Sequence, residues 1–321
     1  MKKTLIAILA CMAAIVSPLS WAAPAFPDGP VHLVVPFPAG GPTDTLARML
    51  AEGLQARWKQ PVIVENKPGA GTLIGTDHVA RAAPDGRTMG IVISAYTINP
   101  SVRRSMPYDT LADLQGITQL AESKLVLVTR ADAPFNTVAE LIARARRHPG
   151  ELTYASPGAG TSTHLAGEMF KQAAGIDIVH VPYKGSGPAQ TDLVGGQVDV
   201  MFDVLQSALP MVRSGRLKVI ALASPQRDAA FPQYPTVAET LPGFEVGSMF
   251  GLIAPARTPA ATVAAIRDAA AAVVHSKQVA QTMAGLGMTP VGSTPAEFNR
   301  FLRDEIEKWR KVAQQANVRI D

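Results

Sequence analysis

Polar and apolar positions follow two different periods along this chain. Short apolar runs lie at residues 31–37, 62–64, 89–94, 125–129, 152–156, 178–183, 198–202 and 217–223. Between most of these runs, apolar residues return every three or four positions, as they do at Leu46, Leu50 and Leu54. The first pattern is typical of buried strands and the second of amphipathic helices. Their alternation predicts an α/β protein with mostly parallel sheets.

The C-terminal part is predicted to be mainly helical, after a last apolar run at residues 247–254. Two helix starts have the pattern of a capping box, in which a threonine and a glutamate three residues later each bond a free backbone N–H. These pairs are Thr137 with Glu140 and Thr294 with Glu297. The apolar stripe that follows the second pair is typical of core packing.

The first residues have the composition of an export signal. Lys2 and Lys3 precede an apolar run at residues 5–16, which is shorter than the about 20 residues that span a membrane. Small residues in "SWA" then predict cleavage near Ala22. The segment "ILAC", which ends at Cys11, also matches a lipoprotein cleavage box weakly, and we take it as the minor alternative.

Composition limits the classes of partner. The chain has 321 residues, enough for two domains, and its formal net charge is +4. Loss of Lys2 and Lys3 with the signal leaves 28 basic against 26 acidic residues. This balance argues against a nucleic acid or an anionic membrane as the partner. Cys11 is the only cysteine, so the mature chain is expected to have neither disulfides nor thiol chemistry.

Three loops share the order strand, glycine-bearing loop, helix. They lie at residues 38–44, 156–163 and 184–188, and residues 66–71 form a candidate fourth. In α/β sheets, ligands bind near such loops at the carboxyl ends of the strands. Glycine lets backbone N–H groups approach a ligand, and the helix start adds partial positive charge. The pattern predicts an oxyanion site.

The second loop has more hydroxyl groups than helix capping requires. Its hydroxyl residues are Ser156, Thr161, Ser162 and Thr163, around Gly158 and Gly160. A single hydroxyl before a helix is most often an N-cap, whereas four of them favour a ligand. No arginine lies within the three loops. Backbone amides and hydroxyls would therefore hold a carboxylate, with Lys184 as a nearby point charge.

Two acidic residues fit either a structural or a ligand-binding role. Asp44 follows Gly-Gly-Pro-Thr and is interpreted first as a helix cap. Asp203 ends the apolar run at residues 198–202. There its carboxylate either holds a ligand amine or caps the short helix that follows.

Known catalytic and nucleotide-binding motifs do not explain these loops. The chain has no GxxxxGK[ST], HExxH or GxSxG sequence, and it has no cluster of metal ligands. The glycines at residues 69–75 do not follow their strand directly, which makes a dinucleotide site a weak hypothesis. His164 is interpreted as a neutral structural residue. The enzyme alternative is an exported hydrolase that uses Ser156 or Ser162 with His164, since hydroxyls at such helix starts can form an oxyanion hole.

Several longer segments resemble one family. They are "VVPFPAGGPTDTLAR", "VIVENKPGAGTLIG", "APDGRT", "YASPGAGTSTHLAGEMF", "HVPYKGSGPAQTDLVGGQVDVMFD" and "SGRLKVIALAS". Together with the export signal, they resemble the tripartite tricarboxylate transporter substrate-binding proteins, also called the Bug family. The resemblance extends from about Val31 to the C-terminus.

The resemblance implies an α/β fold of the type II periplasmic binding protein class, in which two lobes joined by two crossover strands enclose a ligand cleft. The implied division is a signal peptide at 1–22, domain 1 at 23–120 plus 247–321, and domain 2 at 121–246. The expected function is that of a periplasmic receptor, and not of an enzyme. It would bind a di- or tricarboxylate, an acidic amino acid or an aromatic acid.

This receptor is expected to be a monomer without a cofactor or a metal. It would deliver its ligand to the membrane subunits of a tripartite tricarboxylate transporter, or present its closed form to a sensor domain. A scaffold that only mediates interactions is a further alternative.

The family's ligand contacts carry over to numbered positions in this chain. In the family, the loop matching residues 38–44 faces the loop matching 156–162, and a ligand carboxylate lies between them, partly through water. The ligand-binding residues implied are Phe37, Ala39, Gly40, Gly41, Thr43, Asp44, Ser94, Tyr96, Ser156, Gly158, Gly160, Thr161, Ser162, Lys184, Gly185, Ser186 and Asp203. Val204 and Gln206 stand where family members often have asparagine and proline, which leaves the ligand's far end open.

Overall fold

Strands and helices alternate within residues 26–320, the part of the chain that the computed structural model describes. The predicted signal peptide and Cys11 lie outside these residues. In chain order the elements are β1 (Val31–Val35), α1 (Pro42–Trp58), β2 (Val62–Asn66), α2 (Leu73–Ala80), β3 (Thr88–Ile93), α3 (Ala95–Val102), β4 (Leu114–Arg130), α4 (Val138–Arg147), β5 (Thr153–Ser156), α5 (Ser162–Ala174), β6 (Val179–Pro182), α6 (Ser186–Val194), β7 (Val200–Val204), α7 (Leu205–Arg213), β8 (Leu217–Leu222), β9 (Gly247–Pro255), α8 (Ala260–Val274), α9 (Lys277–Gly285), β10 (Met288–Pro290) and α10 (Pro295–Gln315).

Two lobes share one long strand. In the first lobe, β1 pairs in parallel with β2 and β3, and β9 pairs antiparallel with β3. In the second lobe, β5 pairs in parallel with β6 and β7. The first part of β4, up to Lys124, pairs with β9, and its second part, from Leu125, pairs with β7 and β8. β4 therefore carries the chain from the first lobe into the second.

The chain returns to the first lobe beside the point on β4 at which it entered the second lobe. The Val246 N–H donates to the Ala223 carbonyl of the second lobe at 2.9 Å. The next residue, Gly247, starts β9 and pairs with Lys124. The two connections between the lobes therefore lie side by side, which is the arrangement of a hinge.

Each lobe has its own apolar core. Leu33, Leu50 and Ile266 belong to the core of the first lobe, whereas Leu127 and Phe170 belong to that of the second. These residues come from sheet faces covered by helices, as the alternating pattern predicts.

Helix α10 contributes to the cores of both lobes. Its first turns place Phe298 and Leu302 in a first-lobe cluster, and Trp309 and Val312 join the second-lobe core. The stripe that the sequence predicts as core packing is thus buried. The C-terminal helix forms a third physical link between the lobes, beside the two connections at the hinge.

Two pairs of residues were predicted to form capping boxes. At α10, the Glu297 carboxylate accepts from the Thr294 N–H at 2.8 Å and the Thr294 hydroxyl accepts from the Glu297 N–H, so the predicted box is confirmed. At α4, Thr137 accepts from the Glu140 N–H at 3.1 Å. The Glu140 carboxylate instead accepts from the Asn136 N–H at 2.6 Å, so half of that box forms.

Several elements were not predicted from the sequence: α3, the first part of β4, α9 and β10. In β4, glycine and glutamine interrupt the apolar pattern. The structure satisfies these positions by tertiary contacts. The Gly116 N–H donates to Asn299 Oδ1 at 2.9 Å, and Gln115 Nε2 donates to the Ala256 carbonyl at 2.8 Å. Distant partners that a local pattern does not contain therefore stabilise this strand.

Candidate functional site

Strand directions place the glycine loops of the two lobes opposite each other. β1, β2 and β3 are parallel, and both β3 and β4 are antiparallel to β9, so all three run in the same direction as β4. Since β4 runs from the first lobe into the second, their carboxyl ends point toward the second lobe. β5, β6 and β7 run opposite to β4, and their carboxyl ends point back toward the first lobe.

The strand register indicates the width of the cleft near the hinge. Ser94, directly after β3, accepts the Met249 N–H at 3.1 Å, and Met249 pairs with Glu122 on β4. Val204, at the end of β7, pairs with Leu125. Three positions along a strand span about 10 Å. Along β4, the ends of β3 and β7 are therefore separated by roughly the length of a small organic acid.

Six helices start at this cleft, each after one of the strands that point into it. They are α1, α2 and α3 in the first lobe and α5, α6 and α7 in the second. Five of the six have no side-chain cap, and α5 is the exception. Among the described helices that start elsewhere, Thr137 and Thr294 cap α4 and α10, whereas α8 and α9 also have no side-chain cap. The helix starts at the cleft thus combine unpaired N–H groups with positive dipole ends, which favour an anion.

In the first lobe, one carboxylate holds the loop after β1. Asp44 accepts from the Gly40 N–H at 2.9 Å and from the Asn66 amide at 2.9 Å. Arg48 donates to both of its oxygens, at 2.8 and 3.1 Å. The hydrogen bond from Arg48 is the main cause that lowers the pKa of Asp44 to about 2. Asp44 is therefore an ionised residue with four donors, and it orients the loop.

This arrangement corrects the sequence-based interpretation of Asp44 as a helix cap. The N-cap of α1 is Gly41, which has no side-chain cap. The Gly40 N–H, predicted to contact the ligand, is used by Asp44. Within the described residues, no acceptor takes the first-turn N–H groups of Thr43 and Asp44, as is usual for a helix start.

The other first-lobe candidates differ in exposure. Phe37 is half-buried and its carbonyl accepts from the Asn66 amide at 3.0 Å. Ala39 is exposed, and Ser94 is buried, where its hydroxyl accepts the Met249 N–H. Tyr96 is 1% exposed, and its hydroxyl donates to the Thr110 carbonyl at 2.6 Å, so its side chain does not border the cleft. α3 turns this ring into the core.

In the second lobe, the loop after β5 is held by its own groups. Ser156 is fully buried, and its hydroxyl donates to the Gly158 carbonyl at 3.1 Å and accepts from the Gly158 N–H at 3.3 Å. Thr161 caps α5 by accepting from the His164 N–H, and it donates to the Gly158 carbonyl at 2.7 Å. The Gly160 N–H donates to His164 Nδ1 at 3.0 Å.

Two of the backbone N–H groups that the sequence predicts as ligand donors already have partners. The N–H groups of Gly158 and Gly160 have partners inside the loop. The N–H groups of Ser162 and Thr163, in the first turn of α5, have no acceptor within the described residues, as expected for a helix start. Ser162 also carries a hydroxyl at this position. The N–H groups that this loop leaves without a partner therefore lie at the start of α5.

The third loop lies directly beside the second. The Gly185 N–H donates to the Pro157 carbonyl at 2.8 Å, and Lys184 is exposed. Ser186 and Gln190, both on α6, donate to the Asp203 carboxylate at 2.7 Å each. Asp203 is fully buried, and this burial raises its pKa.

These bonds identify Asp203 as a support for α6 and α7, because its carboxylate also accepts from the Val204 N–H at 2.8 Å. It is neither exposed to a ligand nor the cap of α7, whose N-cap is Val204. Of the groups it contacts, Ser186 is only half-buried at the start of α6. Asp203 thus fixes the orientation of a residue that borders the cleft.

Sequence reasoning missed the partners of these residues. Arg48 and Gln190 lie four positions after Asp44 and Ser186, a spacing that places side chains on one helix face. This signal was present in the sequence. His180 lies on β6, and its Nε2 is 2.8 Å from the Ser156 hydroxyl. No local pattern indicates this contact, because β5 and β6 become neighbours only in the sheet.

Residues 26–320 contain no cluster of three or more metal-binding side chains and no helix long and apolar enough to cross a membrane. Ser156 and His180 are adjacent, but Ser156 is fully buried. Burial is also the main cause that lowers the pKa of His180 to about 3, which makes this imidazole a poor base.

Comparisons with known proteins agree on one family and one fold. Residues 46–318 match the model of the tripartite tricarboxylate transporter family receptor. Protein BugT of Bordetella pertussis is 36% identical over 318 residues, which cover 98% of this chain and 97% of BugT.

Two solved structures give the same result. R. palustris Rpa4515 with adipate has a TM-score of 0.83 at 34% identity and covers 92% of this chain and 99% of its own. MatC (Rpa3494) from Rhodopseudomonas palustris with bound malate has a TM-score of 0.76 at 32% identity, with 89% and 99% covered. The predicted two-lobed α/β fold of periplasmic binding proteins is thereby confirmed.

Proposed function

Because the chain belongs to the tripartite tricarboxylate transporter family of receptors, we propose that it captures a small carboxylate in the periplasm by closing its two lobes. In this proposal, the signal peptide at 1–22 directs export. Domain 1 (23–120 plus 247–321) then moves against domain 2 (121–246) about the paired connections at the hinge.

One observation carries the proposal: six helix starts border the cleft, and five of them have no side-chain cap. A carboxylate between the lobes would accept from the N–H groups of Thr43 and Asp44 on one side. On the other side it would accept from the start of α5, at Ser162 and Thr163. Such sites bind anions through oriented amides and the helix dipole without a cationic side chain.

The ligand that we propose first is a dicarboxylate, since adipate and malate occupy the two solved relatives. Its second carboxylate would lie near the starts of α6 and α7, beside Ser186. The loops contribute no arginine, so specificity would come from the shape of the cleft and from hydroxyl positions.

Closure follows from how the donors are divided. Each lobe has only part of the hydrogen-bonding groups, so an open receptor leaves the ligand partly hydrated. A ligand shifts the equilibrium toward closure only by the difference between its affinities for the two states. A carboxylate that both lobes contact has that difference.

In this proposal the protein binds its ligand and does not change it chemically. The hydrolase alternative needs a serine with a basic imidazole. His164 Nδ1 is already occupied by the Gly160 N–H. His180, which does contact Ser156, is held in its neutral form with a pKa of about 3. Neither histidine is therefore suited to activate a serine at neutral pH.

The proposed partners are the membrane subunits of a tripartite transporter, which would receive the ligand from a monomeric receptor. Presentation of the closed form to a sensor domain is the alternative use of the same motion. Both need the closed state, so ligand binding is tested first.

The test is thermal unfolding of purified protein with adipate, malate, citrate, glutamate and benzoate, with glucose as the neutral control. A bound ligand at 100 times its dissociation constant should add about 2.7 kcal/mol of stability. Mass spectrometry after overnight incubation should recover the bound acid unchanged. Stabilisation by glucose and by none of the acids would refute the proposal.

A matched pair of variants localises the binding site. Ser162→Ala should weaken acid binding at least about tenfold, as expected for the loss of about 1.5 kcal/mol or more from one hydrogen bond to a charged group. Ser214→Ala, outside the cleft at the end of α7, should leave the affinity unchanged. Equal effects of the two variants would contradict the assignment of the α5 start to the binding site.

A further inference from the structure

A stack of three rings lies beneath the glycine loop of the second lobe. His164 and His180 are nearly parallel, with ring centroids 3.9 Å apart. Tyr154 stacks on the other side of His180, with centroids 4.8 Å apart. None of these rings contacts the ligand in the proposed function, yet both histidines bond directly to the loop.

The two histidines hold the loop at two points. His180 Nε2 lies 2.8 Å from the Ser156 hydroxyl, and His164 Nδ1 lies 3.0 Å from the Gly160 nitrogen. The second contact determines the protonation of His164. A backbone N–H can only donate, so Nδ1 must be an unprotonated acceptor and Nε2 carries the ring proton.

We infer that His164 is a positioning residue, whose neutral imidazole holds Gly160, and with it the start of α5, in the conformation that receives the ligand. This inference rests on the proposed function. His164 orients the loop that receives the ligand and does not contact the ligand itself.

The position of Gly160 leaves the loop little freedom. Gly160 has φ +75°, and a Cβ built there would lie 2.0 Å from Ile320 Cδ1 and 3.7 Å from Val102 Cγ2. The residue is therefore enclosed by α3 and by the C-terminal segment on one side and bonded to His164 on the other. The proposed donors Ser162 and Thr163 follow two and three residues later. Any rotation at Gly160 would redirect their N–H groups.

The same contact makes the loop sensitive to acid. A protonated imidazole has no acceptor atom, so it cannot accept the Gly160 N–H. Burial is the main cause that lowers the pKa of His164 to about 4. Glu168, on α5, partly opposes this effect, whereas Lys171 on the same helix adds to it.

The remaining neighbours of the His164 ring carry no charge at neutral pH. Tyr154 on β5 donates to Glu168 at 2.6 Å, and burial raises its pKa. His180 on β6 is neutral, with a pKa of about 3. We therefore expect the loop to lose its anchor as the pH falls toward 4.

The test uses two variants of similar volume in the full mature chain. His164→Asn places an amide oxygen near the Nδ1 position and keeps the acceptor. His164→Gln places its polar atoms near Nε2 and removes it. Amide hydrogen exchange and the NMR shift of the Gly160 N–H are measured without ligand, so the result does not depend on the proposed function. His148→Asn, at a partly exposed histidine outside the loop, is the control.

Exchange at Gly160 should rise about tenfold in His164→Gln and stay within about twofold of wild type in His164→Asn, in keeping with the loss of one buried hydrogen bond. Between pH 6.5 and 4, the Gly160 shift should move in wild type and in His148→Asn, and stay constant in His164→Asn. The affinity for adipate and malate should fall in His164→Gln and stay close to that of wild type in His164→Asn.

Two results would overturn the inference. One is unchanged Gly160 exchange in His164→Gln with an intact fold. The other is the same pH profile of the Gly160 shift in wild type and in His164→Asn. If Gly160 responds as expected but no acid binds to any variant, the positioning role stands and the proposed ligand class fails.

Discussion

The two lobes hold their glycine loops with opposite chemistry. In the first lobe, an ionised carboxylate binds Gly40, Asn66 and Arg48 in a charged network. In the second, the Ser156 hydroxyl bonds Gly158 and the neutral, buried His164 imidazole bonds Gly160, while the half-buried His180 contacts Ser156.

The difference shows that charged or uncharged side chains can hold the same kind of loop. The two networks should therefore respond differently to salt and to pH. The side chain of Arg48 is 56% exposed, so salt partly screens the first network. In the second network Ser156 and His164 are buried and uncharged, so protonation and packing control it. Both solutions leave the first-turn amides of the following helix free.

The largest expected difference between the lobes concerns steric space at the loop glycines. Gly160→Ala should destabilise the protein by about 3 kcal/mol, because it combines left-handed strain with overpacking against Ile320. Gly40→Ala should cost only about 1 kcal/mol, since a Cβ at Gly40 (φ +89°) meets nothing within 4 Å. Urea unfolding at pH 7 measures both. Equal losses would show that the C-terminal segment does not confine the second loop.

The next expected effect tests the charged network of the first lobe. Asp44→Asn should cost about 2 kcal/mol, because its amide NH₂ would face donors that now share a carboxylate. Adipate or malate binding should weaken with it, as the loop loses its anchor. Urea unfolding and a ligand titration measure the two quantities.

Asp132→Asn is the matched control for Asp44→Asn, since Asp132 pairs with Arg130 but its side chain is 84% exposed. We expect this control to change stability by less than about 0.5 kcal/mol. An Asp44→Asn effect no larger than that of the control would show that this network does not stabilise the loop.

A further expected effect concerns acid, which should weaken the second lobe before the first. His164 and His180 have pKa values lowered to about 4 and about 3 from 6.5. Below pH 6.5 both histidines gain a proton in the unfolded chain, whereas in the folded protein they stay neutral until the pH approaches their lowered pKa values. The stability present above pH 6.5 is therefore lost as the pH falls toward 4, by up to about 1.4 kcal/mol per pH unit for each histidine.

Asp44 titrates in a lower range. Its pKa is about 2 in the folded protein against 3.8, so its contribution is present above pH 3.8 and lost as the pH falls toward 2. Urea unfolding at pH 7, 5.5 and 4.5 should show a smaller loss in His164→Asn than in wild type. Identical slopes would contradict the proposed order.

Prediction from the sequence succeeded where the signal was local. The alternation of short apolar runs with helical spacing predicted the α/β fold, and the glycine loops were placed correctly after β1, β5 and β6. The Thr294 box was visible because both partners lie within four residues. Prediction failed for α3. It also failed for the first part of β4, where polar positions find partners more than a hundred residues away, such as Asn299 for Gly116.

The sequence by itself determined the kinds of element, their order and the presence of anion-type helix starts, because propensity, capping and periodicity act over a few residues. Only the tertiary structure decided which groups of each loop are free. Asp44, Ser156 and Asp203 look alike in the sequence as polar residues next to the loops that follow strands, yet the hydrogen bonds of all three hold other parts of the structure. Some of their partners, Asn66, His180 and Ser186, come from other strands and helices, and a hydrogen bond between distant elements leaves no trace in the local pattern.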